Sequence, residues 1–359
     1  MRKTVLAPLL VLLIVAGCRA QEATSKLPRG KVSAEWASAV EDFYQEAVSV
    51  QAPDKAQPHS IMVLKKGKVI YEQYFDGYAP DSVHQVYSVS KTVLALAAGF
   101  AVEEGKIGVD DKVTDFFPGR LPENISDTLS SMTIRHLLTM TCGMEETARL
   151  LSAFKGDTSF SYLEEFFASR QAHMPGTEFY YNFFAPYILA AIIQKQVGMG
   201  IMDYIGPRLL EPLGITDMQW ETSHEGICVG GWGMLLCTED MAKLGQLLLQ
   251  RGRWNGRRLI SPQWIDTMTS KLVESMPVNA YARISDPAQL TDPANDHTHG
   301  YGYYVWQGRG HTYRMEGILG QLVIVSPDKD LVLAMTGMSN MDQRYLDIIW
   351  KHFSHLLVK

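Results

Sequence analysis

Residues 86–105 constrain the fold of this chain more than any other stretch, because they form an almost uninterrupted apolar run that opens with two serines and a lysine. Ser88 and Lys91 lie three positions apart, so on a helix their side chains share one face. A lysine that its apolar neighbours keep partly desolvated is expected to be neutral enough to take a proton from a serine. The unpaired N–H groups at the start of such a helix favour the oxyanion that forms after nucleophilic attack. The stretch therefore predicts a buried helix with a nucleophilic serine at its entrance.

The same residues also allow a purely structural interpretation. Ser88 or Ser90 can serve as a helix N-cap, and Lys91 can extend its charge to the surface. Because Ser-x-x-Lys occurs by chance in many chains, the motif alone leaves both interpretations open.

The beginning of the chain is typical of a processed leader. Within residues 1–18, two basic residues precede an apolar stretch that is too short for a stable membrane span, and the segment ends in Val-Ala-Gly-Cys. Small residues before a cysteine resemble the bacterial lipoprotein signal, which predicts that Cys18 is lipidated and anchors the protein to a membrane of the bacterial cell envelope. An ordinary secretory signal is the alternative. Residues 19–30 are predicted to be a flexible tether, and residues 31–359 the catalytic domain.

Composition excludes several classes of function. With 46% hydrophobic residues, 20% charged residues and a net charge of −6, the chain is globular and shows no basic run for nucleic acid. Besides Cys18, the cysteines are Cys142, Cys228 and Cys237, which lack metal-type spacing and allow one disulfide at most. The pair His297 and His299 has a spacing that some metal sites use, but it lies in a polar segment that favours a solvated loop. No metal site is predicted.

Strand signals at both ends of the chain enclose a helical middle. The run 60–75 contains two β-rich segments around a Lys-Lys-Gly-Lys turn, and further strands are predicted at 301–306, 321–326 and 331–336, before a helix at 341–357. The pattern predicts an α+β fold in which both chain ends build one antiparallel sheet around a mainly helical insertion, roughly 92–290. Helical patterns recur in this insertion at 133–142, 160–170, 184–197, 200–210, 238–251 and 261–271.

Six separated stretches carry recognisable motifs: residues 87–92 (Tyr-Ser-Val-Ser-Lys-Thr), 132–143, 175–182 (Pro-Gly-Thr-Glu-Phe-Tyr-Tyr-Asn), 230–241, 251–256 and 317–321. Together they resemble one known family, the serine β-lactamase-like hydrolases with the penicillin-binding-protein fold. This family includes class C β-lactamases, DD-peptidases and related esterases and amide hydrolases. The resemblance implies a β-lactamase/transpeptidase-like fold and makes Ser88 the nucleophile, with Lys91 beside it.

The second catalytic element of the family is a tyrosine in Tyr-x-Asn or Tyr-x-Ser, and this chain offers two adjacent tyrosines. The usual count from Pro-Gly-Thr falls on Tyr181, which we favour, whereas Tyr180 satisfies Tyr-x-Asn literally with Asn182. If Tyr181 is the family tyrosine, Phe183 replaces the usual polar third residue.

The third element of the family, normally Lys-Thr-Gly or His-x-Gly, aligns with Met315, Glu316 and Gly317, which the resemblance makes substrate-binding residues. Met315 replaces the cation that receives a substrate carboxylate, so a penicillin-like carboxylate is expected to bind poorly unless Arg314 compensates. The oxyanion hole needs only backbone, and the resemblance assigns it to the N–H groups of Ser88 and Ile318.

The resemblance implies acyl transfer through an acyl-enzyme, without a cofactor. Ser88 attacks a small-molecule ester or amide, and Lys91 and Tyr181 move the proton. Two alternatives stay open: a β-lactamase or DD-peptidase, and an inactive surface module that binds or senses a ligand.

Overall fold

A computed structural model describes residues 26–51, 55–276, 292, 294–340 and 342–359. The predicted leader, with Cys18, lies outside the described residues, as does most of the predicted tether. Residues 26–30 of that tether lie against the domain, where Leu27 is buried and donates its N–H to Glu239. Arg29 pairs with both Glu239 and Glu72 at 2.9 Å. Among the described residues, no helix combines the length and the apolar character needed to cross a membrane.

The strands of the described chain belong to one large sheet and two small ones. Their order in the large sheet is β2-β1-β11-β10-β9-β8, and every neighbouring pair is antiparallel. In chain order the strands are β1 (Ala56–Lys65), β2 (Lys68–Tyr74), β3 (His84–Gln85), β4 (Gln219–Trp220), β5 (Met234–Leu236), β6 (Arg253–Trp254), β7 (Arg257–Arg258), β8 (Trp306–Gln307), β9 (Tyr313–Gly317), β10 (Gln321–Ser326) and β11 (Leu331–Ser339).

Helices cover both faces of the large sheet and predominate in the segment between β2 and β8, which also holds the short strands β3 to β7. The prediction of one antiparallel sheet completed by both chain ends is confirmed, because β1 pairs along its length with β11. The helices are α1 (Ala34–Ser49), α2 (Val89–Glu103), α3 (Asp127–Ser131), α4 (Ile134–Leu138), α5 (Ala148–Ser152), α6 (Tyr162–Ala168), α7 (Ala185–Val197), α8 (Ile201–Ile205), α9 (Glu211–Leu213), α10 (Thr238–Leu249), α11 (Pro262–Met268) and α12 (Asp342–Leu357).

The sheet separates two hydrophobic cores. On one face α1 and α12 pack on each other and on the sheet, with Phe43 and Phe353 at a ring distance of 5.2 Å. On the other face α10 lies directly on the strands, because a Cβ on Gly245 would come within 2.7 Å of Val323 and Val332. Strands covered on both faces lack polar alternation, which explains the continuous apolar runs in β10 and β11. The second core continues into the helical region and surrounds α2.

Several predicted elements differ in extent from the observed ones. The strand predicted at 301–306 is wrong over most of its length, since only Trp306 belongs to a strand and Tyr304 takes a positive φ of 56° that reverses the chain. Aromatic residues with high β propensity here form a turn beside the active site rather than a strand. The helix predicted at 200–210 is α8 followed by a π-helical turn, Gly206–Leu210, which contains a proline. Helix α1 was not predicted.

Candidate active site

Ser88 stands at the N-terminus of α2, immediately after a strained turn. Tyr87 takes a φ of +46°, a conformation that costs energy for a residue with a side chain and is often found at functional sites. Ser88 occupies the N-cap position, but its side chain makes no capping hydrogen bond. The hydroxyl of Ser90 turns back instead and donates to the Tyr87 carbonyl at 2.7 Å. The Ser88 hydroxyl is therefore left for another partner.

Lys91 provides that partner one helical turn later. Its Nζ lies 2.8 Å from Ser88 Oγ and 2.8 Å from the carbonyl oxygen of Gly231, and the residue is only 1% exposed. Burial lowers the pKa of Lys91 to about 7, against a raising influence from the charge of Glu146. A substantial fraction of this amine is thus neutral at neutral pH and able to accept a proton from Ser88.

Tyr181 completes a cluster with Ser88 and Lys91. Its hydroxyl hydrogen-bonds the side chains of Ser88 and Tyr301, and its ring centroid is 5.0 Å from Lys91 Nζ. Burial raises the pKa of Tyr181 above its ordinary value, although the hydrogen bond from Ser88 opposes this, so the phenol stays protonated at neutral pH. Stacking on Trp306, at a ring distance of 5.5 Å, holds the tyrosine in this orientation.

Asn182 determines which of the two adjacent tyrosines reaches Ser88. Its side chain is fully buried, donates to the Met144 carbonyl at 2.9 Å and accepts the N–H groups of Phe184 and Ala185 that begin α7. This anchoring orients Tyr181 inward. Tyr180 is half-buried beside Glu146, and it does not join the Ser88 cluster.

A carboxyl group that sequence reasoning missed lies next to this cluster. The Phe183 ring faces Lys91 Nζ at 5.7 Å, and the Phe183 N–H donates to Glu146 Oε1 at 2.5 Å. Burial raises the pKa of Glu146 to about 7, although the Phe183 N–H, Tyr180 and the charge of Lys91 oppose the shift. The one signal for Glu146 in the sequence was the loss of a polar residue at position 183, which left Lys91 without an expected neighbour.

Strand β9 runs along the other side of Ser88. A Cβ on Gly317 would lie 2.2 Å from the Val86 carbonyl oxygen and 3.1 Å from the Ser88 nitrogen, so only glycine permits this approach. Ile318 follows directly, with a side chain that is 54% exposed. Met315 is 1% exposed and packs in the core around α2. The strand thus brings backbone close to the nucleophile while the Met315 side chain faces inward.

Glu316 does not extend freely into the site, because two basic residues hold its carboxylate. Its oxygens lie 2.8 Å from His297 Nε2 and 2.5 Å from Arg314 Nε. Burial alone would raise the pKa of Glu316, but the charges of Arg314 and His297 outweigh it and keep that pKa well below its ordinary value. Arg314 is 1% exposed, and its remaining donors bind the carbonyl oxygens of Gln307 and Asp296. Arg314 is therefore committed within the protein and does not replace the missing family cation at the surface.

The interpretation of His297 as part of a solvated loop is wrong. Its side chain is 14% exposed and packs edge-on against Trp306 at a ring distance of 4.8 Å. The segment folds as a 3-10 helix, Asp296–Thr298, whose first residue is fully buried. Within the described part of the chain, no group of three or more metal-ligating side chains comes together.

The fold and the site define a class. A helix that begins with a serine, a buried lysine one turn later, a tyrosine on the same hydroxyl and an antiparallel strand beside them are together the arrangement of β-lactamase/transpeptidase-like proteins. The model of the Beta-lactamase family matches residues 51–347. The chain belongs to this family of serine hydrolases.

Individual relatives are distant. The chain is 22% identical over 246 residues to a 6-aminohexanoate-dimer hydrolase of Paenarthrobacter ureafaciens, covering 62% of this chain and 61% of that protein. Among solved structures, the hydrolase EstCE1, described as having promiscuous acyltransferase activity, has a TM-score of 0.66 at 20% identity, over 89% of this chain and 98% of that one. An octameric penicillin-binding protein homologue from Pyrococcus abyssi has a TM-score of 0.65 at 21% identity, over 90% of this chain and 78% of that one. At these identities the structures show the shared fold alone.

Proposed function

We propose that the protein is a serine hydrolase that cleaves neutral esters or amides through a covalent acyl-enzyme on Ser88. The observation that carries the proposal is the 2.8 Å distance between Ser88 Oγ and the buried Lys91 Nζ. An amine with a pKa of about 7 is a suitable base for a serine near neutral pH. Without such a base the hydroxyl is a weak nucleophile.

The proposed reaction has two halves. Ser88 Oγ bonds to the substrate carbonyl carbon as its proton passes to Lys91 Nζ, and the carbonyl π pair moves onto oxygen. The N–H groups of Ser88 and Ile318 stabilise this oxyanion. When the carbonyl re-forms, the bond to the leaving group breaks and Tyr181, which is protonated and hydrogen-bonded to Ser88, passes its proton to that group, while the proton on Lys91 Nζ passes to Tyr181 and restores both residues. Water then releases the acid by the reverse proton route.

The surroundings of the site favour substrates without a carboxylate. The cations beside it, Lys91 and Arg314, are buried and already bound to protein groups. An aromatic surface extends from Phe183 to Phe154 and Trp232, with ring distances of 5.8 and 4.7 Å, and Phe154 is 39% exposed. Such a surface suits apolar acyl or leaving groups. The descriptions of the relatives, a 6-aminohexanoate-dimer hydrolase and a hydrolase with promiscuous acyltransferase activity, support hydrolysis by acyl transfer.

The test compares hydrolysis of p-nitrophenyl butyrate by the wild type, Ser88→Ala and Ser90→Ala. Removing the nucleophile is expected to lower kcat/KM by more than about 10³-fold. Ser90→Ala, which removes a hydroxyl of the same helix that points to the Tyr87 carbonyl, is expected to keep activity within about tenfold of the wild type. A wild type without activity on any ester or amide, or Ser88→Ala with full activity, would contradict the proposal.

We also propose that Cys18 is lipidated and holds the protein at a membrane of the bacterial cell envelope. The support is the Val-Ala-Gly-Cys sequence after an apolar segment at the beginning of the chain. Several acyl chains at one cysteine give stable anchoring, at about 0.8 kcal/mol per buried CH₂. In a bacterial host, wild-type protein is expected to incorporate labelled palmitate and to sediment with membranes, and Cys18→Ser is expected to do neither. A correctly cleaved Cys18→Ser protein that stays with the membrane would contradict this.

A further inference from the structure

A buried carboxyl group lies behind the catalytic lysine, and the reaction described above does not use it. Glu146 sits on the loop between α4 and α5, and its Oε1 accepts the N–H of Phe183 at 2.5 Å. The Tyr180 hydroxyl also acts on this carboxyl group, but Oε2 is buried without a hydrogen-bond partner of normal geometry. Leaving a carboxylate oxygen buried and unpaired is costly, so such a group calls for an explanation.

The contacts of Glu146 connect it to the two residues that move the proton. Phe183, which binds Glu146 through its N–H, places its ring 5.7 Å from Lys91 Nζ and 5.7 Å from the Tyr181 ring. Three residues earlier the Tyr180 N–H donates to the Met140 carbonyl at 2.8 Å. Glu146 therefore fixes the end of the segment that carries Tyr181.

The charged groups around Lys91 matter as well, because Lys91 becomes an ammonium during the reaction. The titratable groups of the described residues that act on Lys91 are Tyr181, whose ring faces it, and Glu146, whose charge raises its pKa. Lys91 and Tyr180 act on Glu146, whose charge in turn acts on Cys142. Burial raises the pKa of Cys142 to about 12 and that of both tyrosines above their ordinary values, so these three stay neutral. Glu146 is then the negative charge available to balance Lys91.

We propose that Glu146 is a positioning residue for acyl transfer, which fixes the Tyr181 segment through the Phe183 N–H and supplies the counter-charge to the ammonium formed on Lys91. The inference rests on the proposed function. When the Ser88 proton moves to Lys91 Nζ and Oγ bonds to the carbonyl carbon, the charge of the Glu146 carboxylate stabilises the new ammonium. The same proton leaves Lys91 when the leaving group is protonated, and Glu146 itself is unchanged over the cycle.

The experiment measures kcat/KM for p-nitrophenyl butyrate against pH for the wild type and Glu146→Gln. Glutamine keeps an acceptor for the Phe183 N–H and removes only the charge. Because the carboxylate raises the pKa of Lys91, its removal is expected to move the acidic limb of the profile to lower pH by about one unit. The plateau is expected to fall by up to about tenfold, since the lysine becomes a weaker base. If Glu146 only held Phe183 in place, Glu146→Gln would leave the acidic limb where it is in the wild type.

Two further variants complete the design. Glu145→Gln removes the neighbouring carboxylate, which is 36% exposed and lies 3.4 Å from Arg170, and is expected to leave both limb and plateau unchanged. Glu146→Asp keeps the charge and is expected to hold the limb within about half a unit of the wild type; it decides the question if Glu146→Gln does not fold. An inactive wild type overturns the proposed function. If the wild type is active, this inference alone is overturned when the acidic limb of Glu146→Gln coincides with that of the wild type. It is also overturned when the limb of Glu146→Asp moves by a full pH unit.

Discussion

Lys91 and Arg314 are two cations of the same active site, each only 1% exposed, yet their surroundings treat them in opposite ways. Lys91 hydrogen-bonds the Ser88 hydroxyl and the Gly231 carbonyl. The carboxyl group whose charge acts on it, that of Glu146, itself has a pKa of about 7, so burial prevails and the pKa of Lys91 falls to about 7. Arg314 forms an ion pair with Glu316, which a second basic residue, His297, also contacts. The difference teaches that a buried lysine without an ion-pair partner loses its charge easily, whereas an arginine, which stays charged in proteins, is buried only with such a partner. The under-paired cation is the reactive one, and the paired one is structural.

The largest effect is expected on turnover, from the loss of the Tyr181 hydroxyl beside the reactive lysine, Lys91. Tyr181→Phe keeps the ring that stacks on Trp306 and removes the group that contacts Ser88, so turnover of an ester is expected to fall by about 10²–10⁴-fold. Tyr180→Phe removes the matching hydroxyl beside Glu146 and serves as the control, with a much smaller loss expected. If steady-state kinetics rank the two variants in the reverse order, the proton-transfer role moves to Tyr180.

For Arg314, the cation that is paired with Glu316, the largest effect is expected on stability. Arg314→Met leaves Glu316 buried with His297 alone, and breaking a buried pair in this way typically costs about 3–5 kcal/mol. The free energy of unfolding, measured in urea at pH 7, is the quantity to compare with the wild type. A loss below about 1 kcal/mol would show that the comparison between the two cations is not valid.

Lys91→Met is the matched substitution, and it is expected to change stability in the opposite direction. The pKa of Lys91 is about 7 in the folded protein, below its ordinary value of 10.5, so the folded state binds this proton more weakly than the unfolded state does. The lysine therefore destabilises the protein below about pH 7, and this cost disappears as the pH rises towards 10.5. Lys91→Met is expected to be inactive but more stable than the wild type by roughly 2–4 kcal/mol at pH 6, with a smaller gain at pH 9. A stability gain that grows as the pH rises would contradict this prediction.

The smallest effect is expected where the chain departs from its family, at Met315. A cation on this strand would offer a substrate carboxylate a charge-assisted hydrogen bond worth roughly 1.5–3 kcal/mol, but the Met315 side chain is 1% exposed and faces the core, so Met315→Lys supplies this bond only in part. We expect the wild type to have a higher kcat/KM for p-nitrophenyl butyrate than for nitrocefin, and the variant to reduce the ratio of these two values by less than about tenfold. Fast hydrolysis of nitrocefin by the wild type would mean that another group already binds the carboxylate.

Sequence reasoning performed differently in the two regions for a physical reason. The Ser88 and Lys91 pair is local, because helical geometry brings residues three positions apart together. The antiparallel sheet followed from continuous apolar strands at both chain ends. The contacts of His297 with Glu316 and of Glu146 with Phe183 join residues 19 and 37 positions apart, through segments without a periodic pattern. Their partners depend on tertiary packing, which local propensity does not encode.

The central claim is that Ser88 forms a covalent bond with its substrate, and labelling with a fluorophosphonate tests it most directly. The purified wild type is incubated with the probe, digested and analysed by mass spectrometry, with Ser88→Ala and Ser90→Ala treated in parallel. The account predicts one adduct per chain on Ser88, faster labelling as the pH rises through about 7, and no adduct in Ser88→Ala. An adduct on another residue, or an unlabelled wild type at pH 8, would contradict the account.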